Sequence, residues 1–281
     1  MLDAHPELAI PPETGFLLLG DRGDARPRGV ADDVADDEGG GDPRREFFEA
    51  VMAYPPDAPG WQDFGIAPEQ FWAALQEIEP FSAADGFRAF YRSYAARFGK
   101  SRWGDKTPLY CQHLETIAQL LPEAHFIHVI RDGRDVALSL RQTWFSPGQD
   151  IETLAAHWRD CVATARHQAP RCPRYLEVRF EELIQDSERV LRTICAFLDL
   201  AYVPAMLDYH ARAPLRLAEH RARTRADGSL VVSHECRLRQ QALTMHPPQM
   251  TRTGVWRAEM NPDERQRFEL VAGALLTELG Y

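Results

Sequence analysis

From residue 101 onward the chain repeats one pattern: a short apolar run, a compact turn, then an amphipathic stretch. Strands alternating with helices in this way restrict the fold to βαβ units and a mostly parallel sheet covered by helices. Ser101 to Asp105 forms the first candidate strand, and Thr107-Pro108 opens a helix, with Thr as N-cap and Pro at the first helical position. Tyr110, Leu114, Ile117 and Leu121 then recur at helical steps until Pro122 stops them. His125 to Ile130 reads as a mostly buried strand, Asp132 to Asp135 as a turn and Val136 to Trp144 as a helix. Leu154, Trp158, Cys161, Val162 and Ala165 mark a further helix, and Tyr175 to Phe180 a further strand. Asp186 caps a helix carrying Val190, Ile194 and Phe197. Asn261-Pro262 with Glu264 starts the last helix, which Gly280 ends. In such sheets ligands bind beyond the carboxyl ends of the strands.

The first hundred residues read differently. Residues 46–98 are helical and aromatic-rich, with Ser82 as a cap before Phe87, Phe90, Tyr91 and Tyr94, and suit a helical insertion or lid. Residues 21–45 are dominated by Asp, Gly and Arg with little to bury, which predicts a mobile loop. The whole of 1–281 is expected to form a single domain.

Composition excludes several classes. Forty-two acidic residues against 32 basic ones leave a net charge of −10, which argues against a nucleic-acid-binding surface but not against a small anion pocket. No apolar run approaches the ~18 residues of a membrane span. Met1-Leu-Asp-Ala-His-Pro is not a signal peptide. Five cysteines with no CxxC pair suit reduced thiols and a cytoplasmic location. Only Lys100 and Lys106 are lysines, so each stands out from a background of arginine.

Four places carry chemistry-bearing residues at strand ends or on stiff loops. Lys106 lies between a strand exit and a helix start, where an anion is already favoured; alternatively it is a solvated turn residue. Arg131 directly follows the His125–Ile130 strand and Ser139 lies one turn into the next helix, a guanidinium and a hydroxyl suited to a phosphate. The alternative pairs Arg131 with Asp132 or Asp135. Glu13, in Pro11-Pro12-Glu13-Thr14, is either a general base or a surface acid. Gln249 to Arg257 is a basic loop with one Gly and one Trp, which either covers an anion or only packs. His234-Glu235-Cys236 has no second ligand pair at a suitable spacing, so no metal site is expected.

Taken together, five segments in this order resemble the sulfotransferases that use 3′-phosphoadenosine-5′-phosphosulfate (PAPS), most closely the bacterial group similar to tyrosylprotein sulfotransferases. They are Leu2–Glu7 with Pro12-Glu13-Thr14, Gly104–Pro108, Phe126–Val136 with Ser139, Tyr175–Leu183, and Trp256-Arg257 through Tyr281. The resemblance implies a P-loop-kinase-like α/β fold, a parallel sheet flanked by helices. It also implies PAPS as co-substrate without a metal, and a hydroxyl-bearing acceptor that is a small molecule, carbohydrate, lipid or peptide tyrosine. By residue match, Glu13 is the general base and Lys106 sits near the transferring group. Arg131 and Ser139 bind the 3′-phosphate, and Arg252 helps close over the nucleotide.

One feature of the family is missing. A strand and a Pro-Arg-Ser-Gly-Thr-Thr-like loop should precede Leu2-Asp-Ala-His-Pro, and Gly39-Gly40-Gly41 does not replace it. Met1 to His5 reads as the end of a helix whose start lies upstream, so an in-frame extension of roughly 20 residues is expected. Activity of the 281-residue chain is expected to be impaired. The alternative is a non-catalytic nucleotide-binding or partner-binding relative; a P-loop nucleotide kinase would also need a phosphate loop and a Mg²⁺ site.

Overall fold

A computed structural model describes residues 1–19 and 41–281. In chain order these form β1 (Leu8–Ala9), α1 (Pro43–Met52), α2 (Pro68–Gln76), α3 (Ala83–Ala96), β2 (Arg102–Trp103), α4 (Leu114–Leu120) and β3 (Phe126–Ile130). There follow α5 (Gly133–Arg141), α6 (Ile151–Gln168), β4 (Tyr175–Arg179), α7 (Phe180–Gln185), α8 (Ser187–Phe197) and α9 (Tyr209–Leu217). The chain ends with β5 (Arg223–Thr224), β6 (Leu230–Val232), α10 (His234–Gln241), α11 (Trp256–Glu259) and α12 (Pro262–Glu278). Contacts divide them into two compact units, Met1–Tyr110 with Val203–Pro247, and Cys111–Tyr202 with Pro248–Tyr281.

In the first unit β1 and β2 pair in parallel, Leu8 opposite Arg102 and Ala9 opposite Trp103. Behind them α3 brings an aromatic core. Phe90 meets Phe16 and Phe64 edge-on, each at 5.0 Å, and Tyr91 stacks on Trp103 at 4.5 Å. Ser82 caps α3 through the Asp85 amide at 3.1 Å, as its position in the sequence predicts. The β5–β6 pair is antiparallel. The buried Asp63 carboxylate ties it down, accepting from Arg223 at 2.7 Å, Arg237 at 2.8 Å and the Arg221 amide at 2.8 Å.

In the second unit β3 and β4 pair in parallel over five residues, from Phe126 opposite Tyr175 to Ile130 opposite Arg179. Ile130, Ala137, Leu154, Trp158, Phe268 and Leu276 join α5, α6 and α12 to this pair in one apolar core. Asp150, Asp186 and Asn261 cap α6, α8 and α12 through backbone amides.

Several expectations need correcting. Most of the expected loop, 21–40, lies outside the described residues, but its last residues are helical. Asp42 accepts from the Arg44 amide and Pro43 takes the first helical position, so α1 begins at Pro43. Met1–His5 holds a single 3₁₀ turn, Leu2–Ala4. The helix expected from Thr107 is split: a 3₁₀ segment Pro108–Gln112 ends at His113, whose backbone leaves the helical region before α4. α5 starts at Gly133 rather than Val136, because Asp132 accepts from the Arg134 amide and caps it earlier. β3 is less buried than its apolar run suggests. Only Ile130 is fully buried and Val129 is 47% exposed, since among the described residues β3 has a single partner strand. Among the described residues the expected parallel pairing is present as two two-stranded pairs, one within each unit.

Gly133 has a steric reason to be glycine. A Cβ there would lie 2.4 Å from the Trp158 indole, and Trp158 itself donates to the Arg131 carbonyl at 3.1 Å. Gly133→Ala must displace that ring from the core. We expect a loss of about 1–3 kcal/mol in stability, the cost of overpacking, read from the denaturant midpoint.

Candidate functional site

The register of β1 and β2 brings Glu13 and Lys106 together. Ala9 and Trp103 are opposite one another at the strand ends, so the loops that follow leave side by side, Glu13 four residues on and Lys106 three. The two side chains form an ion pair. Lys106 is 61% and Glu13 47% exposed, so the pair is weak, about 0–1 kcal/mol, and easily parted.

Beneath this pair the loops are fastened by hydroxyls. The Thr14 amide donates to Thr107 Oγ1 at 3.2 Å, and Thr107 Oγ1 donates to Asp105 Oδ1 at 2.8 Å. Thr14 Oγ1 and Tyr91 OH both donate to Asp105 Oδ2, and the Tyr110 hydroxyl lies 3.0 Å from Thr14 Oγ1. Burial pushes the Asp105 carboxyl above the usual carboxylate range, while these hydroxyl donors pull the other way. Tyr91 and Tyr110 are pushed well up by burial and by the neighbouring carboxylate, so both stay protonated donors. Sequence reasoning did not find this cluster. Its one visible signal was the Thr following Glu13.

His220 lies close enough to Lys106 to feel its charge. It accepts from Arg237 Nη2 through Nδ1 at 2.9 Å. Burial, then Arg237, lowers its pKa to about 4.

The second unit holds the other candidates. The β3–β4 register sets Ile130 opposite Arg179, so Arg131 emerges beside Phe180, its guanidinium 4.9 Å from that ring. Arg131 Nη2 donates to the Arg252 carbonyl at 2.6 Å and lies 3.5 Å from Asp135 Oδ2. The pairing with Asp135, one of the two readings left open by the sequence, is therefore present. Burial lowers the Arg131 pKa, Asp135 opposes this, and the Arg252 charge adds to the lowering. Arg131 Nε is buried without a hydrogen-bond partner. A half-buried guanidinium, a second one nearby and an unused donor make an arrangement that an anion would complete.

Asp135 also fixes the loop that carries Arg252. Its two carboxylate oxygens accept from the Gly254 amide at 2.8 Å and the Trp256 amide at 2.9 Å. Gly254 has φ +69°, in the left-handed region that favours glycine. Arg134 is held by Asp132 at 2.9 Å and stacks on the Trp256 ring at 3.6 Å. Sequence reasoning treated Asp135 only as a competitor for Arg131; the repeated Arg-Asp of residues 131–135 was the available signal. Because α5 begins at Gly133, Ser139 sits in its second turn, half-buried. Thus the structure brings Glu13 to Lys106 and Arg131 to Arg252, each within its own unit. Among the described residues no set of three His, Cys, Asp or Glu side chains converges as metal ligands, and no helix is long and apolar enough to cross a membrane.

The profile of the sulfotransferase family matches residues 1–204. The chain belongs to that family. Among its relatives is a Caenorhabditis briggsae protein whose name places it with the protein-tyrosine sulfotransferases, 30% identical over 133 residues, 45% of this chain. Another is nodulation protein NoeE of Sinorhizobium fredii, 28% identical over 233 residues, 74% of this chain. The matches span about half of those relatives, 48% and 51% of their lengths. The fold is similar to the sulfotransferase domain of the Synechococcus PCC 7002 olefin synthase, with a TM-score of 0.51 and 22% identity over 96% of this chain and 87% of that one. It is also similar to the sulfotransferase domain of the curacin biosynthetic pathway, with a TM-score of 0.53 and 15% identity over 100% and 91%. These likenesses agree with the α/β sulfotransferase fold expected from the sequence.

Two measurements follow from the geometry. Asp135→Asn leaves one of the two loop amides facing an NH₂ group, at a cost of about 1–3 kcal/mol for the unsatisfied donor. Hydrogen exchange should quicken at Gly254 and Trp256, and unchanged exchange there would remove Asp135 as the anchor. For His220, the folded pKa of about 4 lies below the ordinary 6.5, so the unfolded chain takes the proton first. Its contribution to stability is complete above pH 6.5 and is lost as pH falls toward 4. His220→Gln, titrated by denaturant midpoint beside the native chain, should lack that part of the acid slope.

Proposed function

We propose that this chain transfers a sulfuryl group from PAPS to an acceptor hydroxyl. The observation that carries this reading is Arg131, a half-buried cation at the end of β3 with an unpartnered Nε and Arg252 beside it, in a chain of the sulfotransferase family. Arg131, Ser139 and Arg252 hold the 3′-phosphate of the nucleotide. Arginine suits that task, since its charge is permanent and its donors form a planar fork. PAPS supplies the activated sulfuryl group and an anionic leaving group. Glu13 takes the proton from the acceptor hydroxyl once Lys106 releases it, and exposure keeps the energy of that release small. Lys106 then stabilises negative charge as it develops on the transferring oxygens. The likeness to a protein-tyrosine sulfotransferase makes a peptide tyrosine the first acceptor to try, with phenols, sugars and lipid hydroxyls next.

Isothermal titration with adenosine 3′,5′-bisphosphate and with ATP tests the nucleotide assignment. Arg131→Ala should weaken the bisphosphate by about 1.5–3 kcal/mol, the range for a charged hydrogen bond. Native affinity in that variant, or equal affinity for ATP, would sink it. Transfer from radiolabelled PAPS tests the chemistry. Glu13→Gln and Lys106→Ala should each lower kcat by ~10²-fold with little change in folding. Tight bisphosphate binding with no transfer to any acceptor class would instead support a nucleotide-binding relative.

A further inference from the structure

Tyr281 stands just beyond α12, where a glycine closes the helix. Gly280 takes φ +74°. Its amide donates to the Thr277 carbonyl at 3.0 Å, and the Tyr281 amide donates to the Leu276 carbonyl at 2.9 Å. These two bonds are the Schellman pattern, which needs a left-handed residue and packs the residue after it back against the helix. Tyr281 accordingly lies against the core formed by α5, α6 and α12. The Arg179 guanidinium stacks on its ring at 4.1 Å and also donates to the Leu279 carbonyl.

So placed, the Tyr281 hydroxyl reaches the end of β3. It lies 2.9 Å from Glu181 Oε2 and 3.2 Å from the Ile130 carbonyl. Burial, then the Glu181 carboxylate, pushes the phenol up, so it keeps its proton and donates. The other carboxylate oxygen, Glu181 Oε1, accepts from the Asp132 amide at 3.0 Å. That amide belongs to the peptide group joining Arg131 to Asp132. Phe180, the residue before Glu181, faces the Arg131 guanidinium at 4.9 Å. Two donors therefore hold the Glu181 carboxylate against the backbone of Arg131, while Arg131 Nε has no hydrogen-bond partner.

We propose that Tyr281 is a positioning residue for the anion site: by holding Glu181 on the Arg131–Asp132 peptide, it keeps that carboxylate off the Arg131 guanidinium. The inference rests on the reading of Arg131 as a cation for the 3′-phosphate. Arg131 already has one carboxylate, Asp135, at 3.5 Å, and its Nη2 donates to the Arg252 carbonyl at 2.6 Å. Arg131 and Arg252 against Asp135 leave an excess of positive charge for a phosphate. A second carboxylate paired with Arg131 would cancel that excess and occupy the open Nε. Without the Tyr281 hydroxyl, Glu181 Oε2 is left short of a donor. Arg179 is engaged by the Tyr281 ring and the Leu279 carbonyl, so Arg131 Nε is the charged donor to which Glu181 turns. Tyr281 thus acts through Glu181 and not on the nucleotide.

Isothermal titration of the full chain with adenosine 3′,5′-bisphosphate tests this. Tyr281→Phe keeps the ring beneath Arg179 and removes only the hydroxyl; its denaturant midpoint checks that the fold is retained. The variant should bind the bisphosphate about three- to tenfold more weakly, the span of one hydrogen bond. Glu181→Gln keeps an oxygen for the Asp132 amide and removes the charge, so it should bind at least as tightly as the native chain. In that background Tyr281→Phe has no carboxylate to release, and affinity should stay within about twofold, the ordinary error of additivity. A tyrosine that merely packs would cost the same in both backgrounds, and that result would overturn the proposal. So would native affinity in Tyr281→Phe, or weaker binding in Glu181→Gln, a result that needs no change at Tyr281. A native chain that does not bind the bisphosphate would instead fell the nucleotide reading, and this proposal with it.

Discussion

A carboxylate taken out of water must be given donors, and the groups that supply them are thereby fixed in place. Each unit uses this constraint just past a parallel strand. Asp105, two residues beyond β2, gathers the hydroxyls of Thr14, Tyr91 and Thr107. Asp135, five residues beyond β3, gathers the amides of Gly254 and Trp256 and the guanidinium of Arg131. The side chains with candidate chemistry are their neighbours along the chain. Glu13 and Lys106 flank the first cluster, and Arg131 and the Arg252 loop are held by the second. Loop geometry here follows from where the desolvated carboxylates sit, rather than from the propensity of the loop residues.

The strands add the second constraint. Parallel pairing releases both loops at the same end of a pair, which is why residues 93 apart in sequence, Glu13 and Lys106, can form an ion pair. The same geometry sets Arg131 against Phe180 and brings Glu181 to the Asp132 amide at 3.0 Å. One- to four-residue offsets from a register are enough to bring distant sequence segments into one neighbourhood.

Helix starts were legible because capping is local. Ser82, Asp186 and Asn261 each announce their helices within four residues of sequence. The candidate residues were legible because they stand at strand ends or on Pro-stiffened turns. What the sequence could not show is partnership across distance. Nothing near Asp105 in sequence identifies Thr14 or Tyr91 as its donors, and nothing near Asp135 identifies Gly254. The burial of β3 was also misread, since an apolar run records what a strand could bury and not how many partner strands it has. The α5 start was misplaced for the opposite reason: Asp132 was read as part of a turn when its carboxylate was capping the helix.

The two units treat charge in contrasting ways, and the contrast fits the roles proposed for them. Arg131 is partly desolvated, stacked on Phe180 and close to Arg252, an accumulation of positive charge in a chain whose net charge is −10. Holding such groups apart from water costs energy that the proposed phosphate would return on binding, so a rigid cradle suits that role. Glu13 and Lys106 instead lie in water as a neutral pair with little mutual stabilisation. A base locked in a buried ion pair could not accept a proton without first breaking an expensive contact. One resting in an exposed pair above a fixed scaffold can change partners at small cost while its backbone stays in place. Rigidity beneath and weak pairing above are thus complementary requirements, and the Thr14–Asp105–Thr107 cluster supplies the first without imposing it on the second.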